Sequence, residues 1–159
     1  MSLSQSPGVC AIPRIMLLAT LAGCCTNWIN THSFRASSLA EQIPAYERAV
    51  REHCIPRENR GLLISGMANH GKEAATAMIA LLQHPVADFP QEDAIDVLEA
   101  VYRRGIDLRD PETLQLLTTI GATSSNRFVR ARAKSALSLM RTYAPGELQP
   151  PEINGHPIH

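Results

Sequence analysis

Apolar residues recur at helical intervals from Leu39 to Arg141. The clearest stretch is Glu92 to Arg104, where Ile95, Leu98, Val101 and Tyr102 fall at i, i+3, i+6 and i+7 beside Ala94. Glu92 and Asp93 open it and Arg103-Arg104 close it before Gly105, the charge order that the helix dipole favours. A second helix is predicted to start at Asp110 as N-cap with Pro111 in the first position, to carry Leu114, Leu117 and Ile120, and to stop at Gly121. A third starts near Ser124-Ser125-Asn126, buries Val129, Ala133, Ala136, Leu137 and Met140, and ends near Arg141.

Upstream the pattern is less regular. Pro44 to Cys54 predicts a helix with Pro44 in its first turn, and Arg57 to His70 another, closed by Gly71. Lys72 to Gln83 has Ala75, Met78, Ile79 and Leu82 on one face, with Ala77 and Leu81 elsewhere. A helix apolar nearly all round is expected at the centre of a fold. The short connections suit helical hairpins. They group as 44–54 with 57–69, 72–83 with 91–104, and 111–121 with 125–141. The last pair resembles a HEAT repeat through Leu116-Leu117-Thr118-Thr119-Ile120-Gly121, then Val129-Arg130, Ala133, Ala136 and Leu137. The expected fold is all-α: a short HEAT-like stack of about three antiparallel hairpins, the minimum for a stacked core, or an irregular α-bundle.

The amino-terminal segment reads differently. After Arg14 comes an apolar run of about nine residues, too short for a bilayer-spanning helix, which needs roughly 20. It matches the h-region of a signal peptide. The run ends in Leu21-Ala22-Gly23-Cys24, which resembles the lipobox of bacterial lipoproteins. That resemblance implies cleavage after residue 23 and a lipid, palmitate included, on Cys24. It also implies a cell-envelope location, with Cys25 in place of Asp favouring the outer membrane, facing the periplasm. A three-chain anchor is enough for stable attachment. The implied organisation is a signal peptide over 1–23, the lipidated Cys and a flexible tether over 24–37, the all-α domain over 38–142, and a disordered Pro- and Gly-rich tail over 143–159. Trp28 and Phe34 are expected either at the lipid interface or packed on the domain.

Charge adds little. The 15 Lys and Arg balance the 15 Asp and Glu, and loss of residues 1–23 removes Arg14 and no acid. Nothing there favours nucleic-acid binding. Cys10, Cys24, Cys25 and Cys54 are the cysteines, so the mature chain retains Cys25 and Cys54 as thiols or, in an oxidising compartment, as a disulfide.

Chemistry-bearing motifs are sparse. Gly66-Met67-Ala68-Asn69-His70-Gly71-Lys72-Glu73 satisfies G-x-x-x-x-G-K of a P-loop but has Glu73 where Mg²⁺ requires Ser or Thr. With Leu62-Leu63-Ile64 as a strand it is the basis of the alternative, a nucleotide-dependent enzyme. The histidines (His32, His53, His70, His84, His156 and His159) show no metal-ligand spacing, and Ser65 lacks the flanks of a nucleophile elbow. Asp93/Asp96 and Glu92/Glu99 read as a solvated helix face. Arg127, Arg130, Lys134 and Arg141 cluster within about 60° of one helical face. This basic ridge is either a contact for an acidic partner or anionic lipid head groups, or a solvated face paired within the chain with acids such as Asp107 and Asp110. The expected function is therefore non-enzymatic, without cofactor or metal: a membrane-anchored module that binds another envelope protein. An immunity or exclusion lipoprotein would differ only in its partner. Radiolabelled palmitate is expected to enter the product, and Met1 to be absent from protein recovered from cells; unlabelled protein that keeps Met1 would remove the envelope assignment.

Overall fold

The computed structural model describes residues 29–85 and 89–148, and among these every regular element is helical. The helices are α1 (Thr31–Ala36), α2 (Leu39–Arg51), α3 (Arg57–Ala68), α4 (Lys72–Gln83), α5 (Gln91–Arg103), α6 (Pro111–Thr123) and α7 (Arg127–Thr142). The described chain is an all-α bundle. The most extensive contacts are α6 with α7 and α4 with α5, two of the three expected hairpins. The third, α2 with α3, is thinner, and α1 covers more of α3 than α2 does. Helices α3, α5 and α7 pack in series, with α5 between the other two.

Local sequence explains most helix ends. Ser38 donates its N–H (3.0 Å) and its hydroxyl (2.9 Å) to the Glu41 carboxylate, which fixes the first turn of α2. The helix therefore begins five residues before Pro44, which lies inside it and not in its first turn. Pro44 is tolerated because it and Ala40, whose carbonyl it leaves free, are both exposed. The α2 end is a Schellman turn: His53 takes a φ of 53°, and the Cys54 N–H reaches the Ala49 carbonyl at 2.8 Å. Asp110 accepts from the Thr113 N–H at 2.9 Å, so the predicted cap forms, and Asn126, within the stretch expected to start α7, caps that helix by accepting from the Phe128 N–H at 2.9 Å. Helix α6 runs on past Gly121, which is buried under Lys134 and Ala133 of α7 and does not end the helix.

The centre of the core is α5, not α4. Helix α5 buries Asp93, Ala94, Ile95, Val97, Leu98, Val101 and Tyr102, whereas α4 leaves Ile79 and Leu81 half-exposed and Ala80 exposed. Position follows what each face meets. Helix α5 touches α3, α4 and α7, so its polar side is covered as well as its apolar one.

The two segments flanking the expected domain are partly ordered. Thr31–Ala36 form a helix although they lack apolar periodicity. Phe34 inserts into the core, and α1 lies close because residue 66 of α3 is glycine: a Cβ there would stand 3.1 Å from Arg35 Cγ and 3.4 Å from the Phe34 ring. Buried Gln42 donates to the Phe34 and Ser37 carbonyls at 2.7 and 3.0 Å, receiving the end of α1 onto α2. Residues 31–37 are thus docked rather than a free tether, and Phe34 packs on the domain. Likewise 143–148 fold back over the end of α5. The Tyr102 hydroxyl donates to the Tyr143 carbonyl at 2.7 Å, the Gly146 N–H to the Tyr102 carbonyl at 3.1 Å, and Leu148 packs against the core. The expected signal peptide, Cys24, Cys25, Trp28 and residues 149–159 lie outside the described residues. No described helix is long and apolar enough to cross a membrane.

Tyr102 is nearly sealed, so its phenol has little water to replace a lost acceptor. Tyr102→Phe is expected to lower unfolding stability by about 1–2 kcal/mol and to expose 143–148 to proteolysis first. Urea titration with limited proteolysis checks both; unchanged cleavage after Tyr143 would show that this hydrogen bond does not hold the segment.

Candidate functional site

The polar edge of α5 organises a cleft. Asp93 is 1% exposed and accepts hydrogen bonds from two distant helices. The Tyr46 hydroxyl of α2 donates to one oxygen at 2.8 Å, and Arg60 Nε of α3 donates to the other at 2.8 Å. Arg60 Nη2 also donates to Glu92 at 2.6 Å, so one guanidinium bridges two carboxylates of the first turn of α5. Phe89 packs on the Tyr46 ring at a centroid distance of 5.3 Å and closes this cluster from the side.

Burial dominates the electrostatics here. It pushes the Asp93 carboxyl upward, against the pull of Arg60 and then Tyr46. Burial first, and the Asp93 charge second, also raise the Tyr46 phenol. Arg60 loses some proton affinity to burial, but its bonds to Asp93 and Glu92 more than restore it, so its charge is fixed. One helical turn on, burial raises the Asp96 carboxyl to about 6 despite Arg132 of α7, whose Nε stands 3.3 Å away.

Two shallow cavities share the Arg60–Glu92 bridge as a wall. The first, about 420 Å³, is lined by Tyr46, Ala49, Val50, His53 and Ile55 of α2 and its turn, with Asp93 at its base. The second, about 630 Å³, lies between α3, α5 and α7 and is lined by Gly61, Ile64, Asp96, Phe128, Ala131, Arg132 and Ser135. Phe128 is 57% exposed at its mouth, with the Arg127 guanidinium 4.7 Å from the ring centroid. Together they form one two-lobed cleft with a charged partition and an aromatic lip.

The α5 carboxylates are therefore not the solvated face that amphipathicity suggested. Their signal in sequence is the same as that of surface acids. Their covering cations, Arg60 and Arg132, come from other helices.

The basic ridge lies on the other flank of α7. Arg130 donates to the Ser124 and Ser125 carbonyls at 2.5 and 3.1 Å, closing the end of α6. Lys134 crosses Gly121, where an added Cβ would be 3.3 Å from its Cγ. Arg127 and Arg141 are exposed. None of the four pairs with Asp107 or Asp110: Asp107 holds Arg109 at 2.8 Å, and Asp110 caps α6. Arg130 and Lys134 face α6, the cleft faces α3 and α5, and Arg127 lies over Phe128 at its lip.

The run from Gly66 to Glu73 does not form a phosphate loop. Leu62-Leu63-Ile64 are helical, Gly66 is buried inside α3, and Gly71, at a φ of 60°, turns the chain into α4. A P-loop requires a strand before the loop. Among the described residues no group of three or more His, Cys, Asp and Glu could hold a metal ion. Cys54 is buried, and its pairing with Cys25 falls outside the described residues.

No family model, no curated protein and no solved structure matches this chain.

The Asp96 value fixes a sign. A folded-state pKa of about 6 against an ordinary 3.8 means that the native state holds this proton more tightly than the unfolded chain. That contribution to stability is present below about pH 4 and is lost as pH rises through about 6. Asp96→Asn is expected to melt higher than the natural chain at pH 7.5, with the gap closing by about pH 4. Melting curves across that range check it; a variant that melts lower at pH 7.5 would show that the Arg132 pair outweighs burial.

Proposed function

We propose that this chain is a lipid-anchored envelope protein whose helical domain captures another protein in the α3–α5–α7 cleft. The observation that carries the reading is that cleft itself. An exposed aromatic, the buried apolar side chain of Ile64, and a half-buried carboxylate at Asp96 converge on one concavity. Exposed aromatics beside apolar floors are where binding energy concentrates in protein interfaces. The fitting partner segment presents an apolar side chain to Phe128 and Ile64 and a cation toward Asp96, in place of or beside Arg132. The Leu21-Ala22-Gly23-Cys24 motif supports the anchor, and stacked helices that offer a surface instead of a deep pocket suit a binding module.

The contact is assigned to the cleft ahead of the ridge because Arg130 and Lys134 are already used against α6. The acylated protein, used as bait in envelope extract, is expected to retain a partner. Phe128→Ala and Asp96→Lys should each weaken retention by more than about tenfold, while Lys134→Glu combined with Arg141→Glu should leave it within about twofold. Loss of the partner with the ridge variant alone would move the contact to the ridge. Retention that no cleft or ridge variant alters would end the reading.

A further inference from the structure

We propose that Arg35, Arg104 and Ser65 form a binding site for a phosphate oxyanion where α1, α3 and the end of α5 meet. Two arginines converge on consecutive residues of α3. The Arg35 stem lies against Gly66, as the 3.1 Å from its Cγ to an added Cβ shows. Arg104, the residue that ends α5, donates from Nη2 to the Ser65 hydroxyl at 2.7 Å and to the Ser65 carbonyl at 3.2 Å. Neither arginine has a carboxylate partner among the described residues. Arg60, Arg103, Arg109 and Arg132 each have one.

The donor inventory is one-sided. Arg104 uses three of its five N–H groups, on Ala100, the Ser65 carbonyl and the Ser65 hydroxyl. Ser65 Oγ accepts from Arg104, so its own hydrogen is left to donate, and no described residue takes it. The Arg35 guanidinium makes no hydrogen bond to a described residue. The junction is therefore rich in donors, bears two positive charges and pairs with no acid among the described residues. Burial first and Arg35 second push the Arg104 guanidinium below its ordinary range, as expected of a cation short of a counter-charge. The negative pole of α5 opposes an anion here, but about half a charge does not offset two whole ones.

A tetrahedral oxyanion fits better than a carboxylate. Its several oxygens can meet a planar arginine fork, a second guanidinium and a hydroxyl that arrive from different elements. Its source is either soluble phosphate or the phosphate of a lipid headgroup. Cys24 and Thr31 are seven residues apart, about 25 Å at full extension, so a lipid on Cys24 would keep α1 near headgroups. That choice of source rests on the anchor reading; the oxyanion chemistry does not.

The test uses the unacylated full-length chain, Cys24→Ser. Its thermal unfolding is followed in inorganic phosphate and in chloride at matched ionic strength, and its flotation with vesicles of phosphatidylglycerol in phosphatidylcholine is measured. Phosphate should raise the melting temperature, and Arg35→Gln and Arg104→Gln should each weaken the apparent affinity by about tenfold. Arg48→Gln, at an exposed position on α2, should behave as the parent. In chloride, Arg35→Gln should melt at or above the parent because a repulsion is relieved, and in phosphate below it. A purely structural role would not reverse that order. Flotation lost in the same two variants assigns the site to a headgroup, and a phosphate response without flotation assigns it to soluble phosphate. Equal responses from the parent, Arg35→Gln and Arg48→Gln, or no response to either probe, would overturn the proposal. Palmitate labelling judges the anchor reading separately.

Discussion

The carboxylate of Asp93 is the constraint on which the arrangement of α2, α3 and α5 depends. A buried carboxylate stripped of partners costs several kcal/mol. Helix α5 can therefore pack only where the Tyr46 hydroxyl and the Arg60 guanidinium both reach it. The apolar contacts between α3 and α5 tolerate small slips, because dispersion and hydrophobic burial have little directional preference. Hydrogen bonds of 2.8 Å from two other helices do not. The same guanidinium continues to Glu92, so the element that fixes register also raises the wall between the two lobes of the cleft.

What could be read from the sequence was what is decided locally. The Asp110 cap followed by Pro111, the start of α7 near Ser124-Ser125-Asn126, and Arg103-Arg104 before Gly105 all act over three or four residues, and each appears where the pattern placed it. Burial of whole faces was harder to read. Helix α4 has the more continuous apolar surface, yet α5 is central because Arg60, Tyr46 and Arg132 cover its acids. Arg60 lies 33 residues from Asp93, and no window along one helix contains that information. Helix α1 failed for a related reason. Its six residues carry no stripe, and it is held by one phenylalanine, a missing Cβ at Gly66 and the Gln42 amide.

The candidate site shows the same division. The basic ridge was visible on a helical wheel, but the wheel does not say which flank of α7 turns toward α6. Once α6 packs through Gly121, Arg130 and Lys134 are committed to that side. Phe128, Ala131, Arg132 and Ser135 then line the opposite flank. Phe128 gave no signal of its own, since a single aromatic near a helix start reads as core. Its 57% exposure becomes meaningful only beside Ile64 and Asp96, which belong to two other helices.

Helix α5 also separates the two surfaces proposed as binding sites. Its first turn and the one after it supply Glu92, Asp93 and Asp96 to the cleft, and its last residues supply Arg103 and Arg104. At 1.5 Å per residue, Glu92 and Arg104 stand about 18 Å apart along the axis. Acids at the start and bases at the end are what the macrodipole favours, so this polarity first stabilises the helix. Because α5 is the shared neighbour of α3 and α7, its acids meet Arg60 and Arg132 at one end, and Arg104 meets Ser65 at the other. The end carrying Arg104 is the one where α1 docks, so a chain tethered through its amino terminus would turn the donor-rich junction toward the surface that holds it. The cleft, a helix length away, would face outward to a partner. One helix that satisfies its own dipole would in this way also set the orientation of the domain.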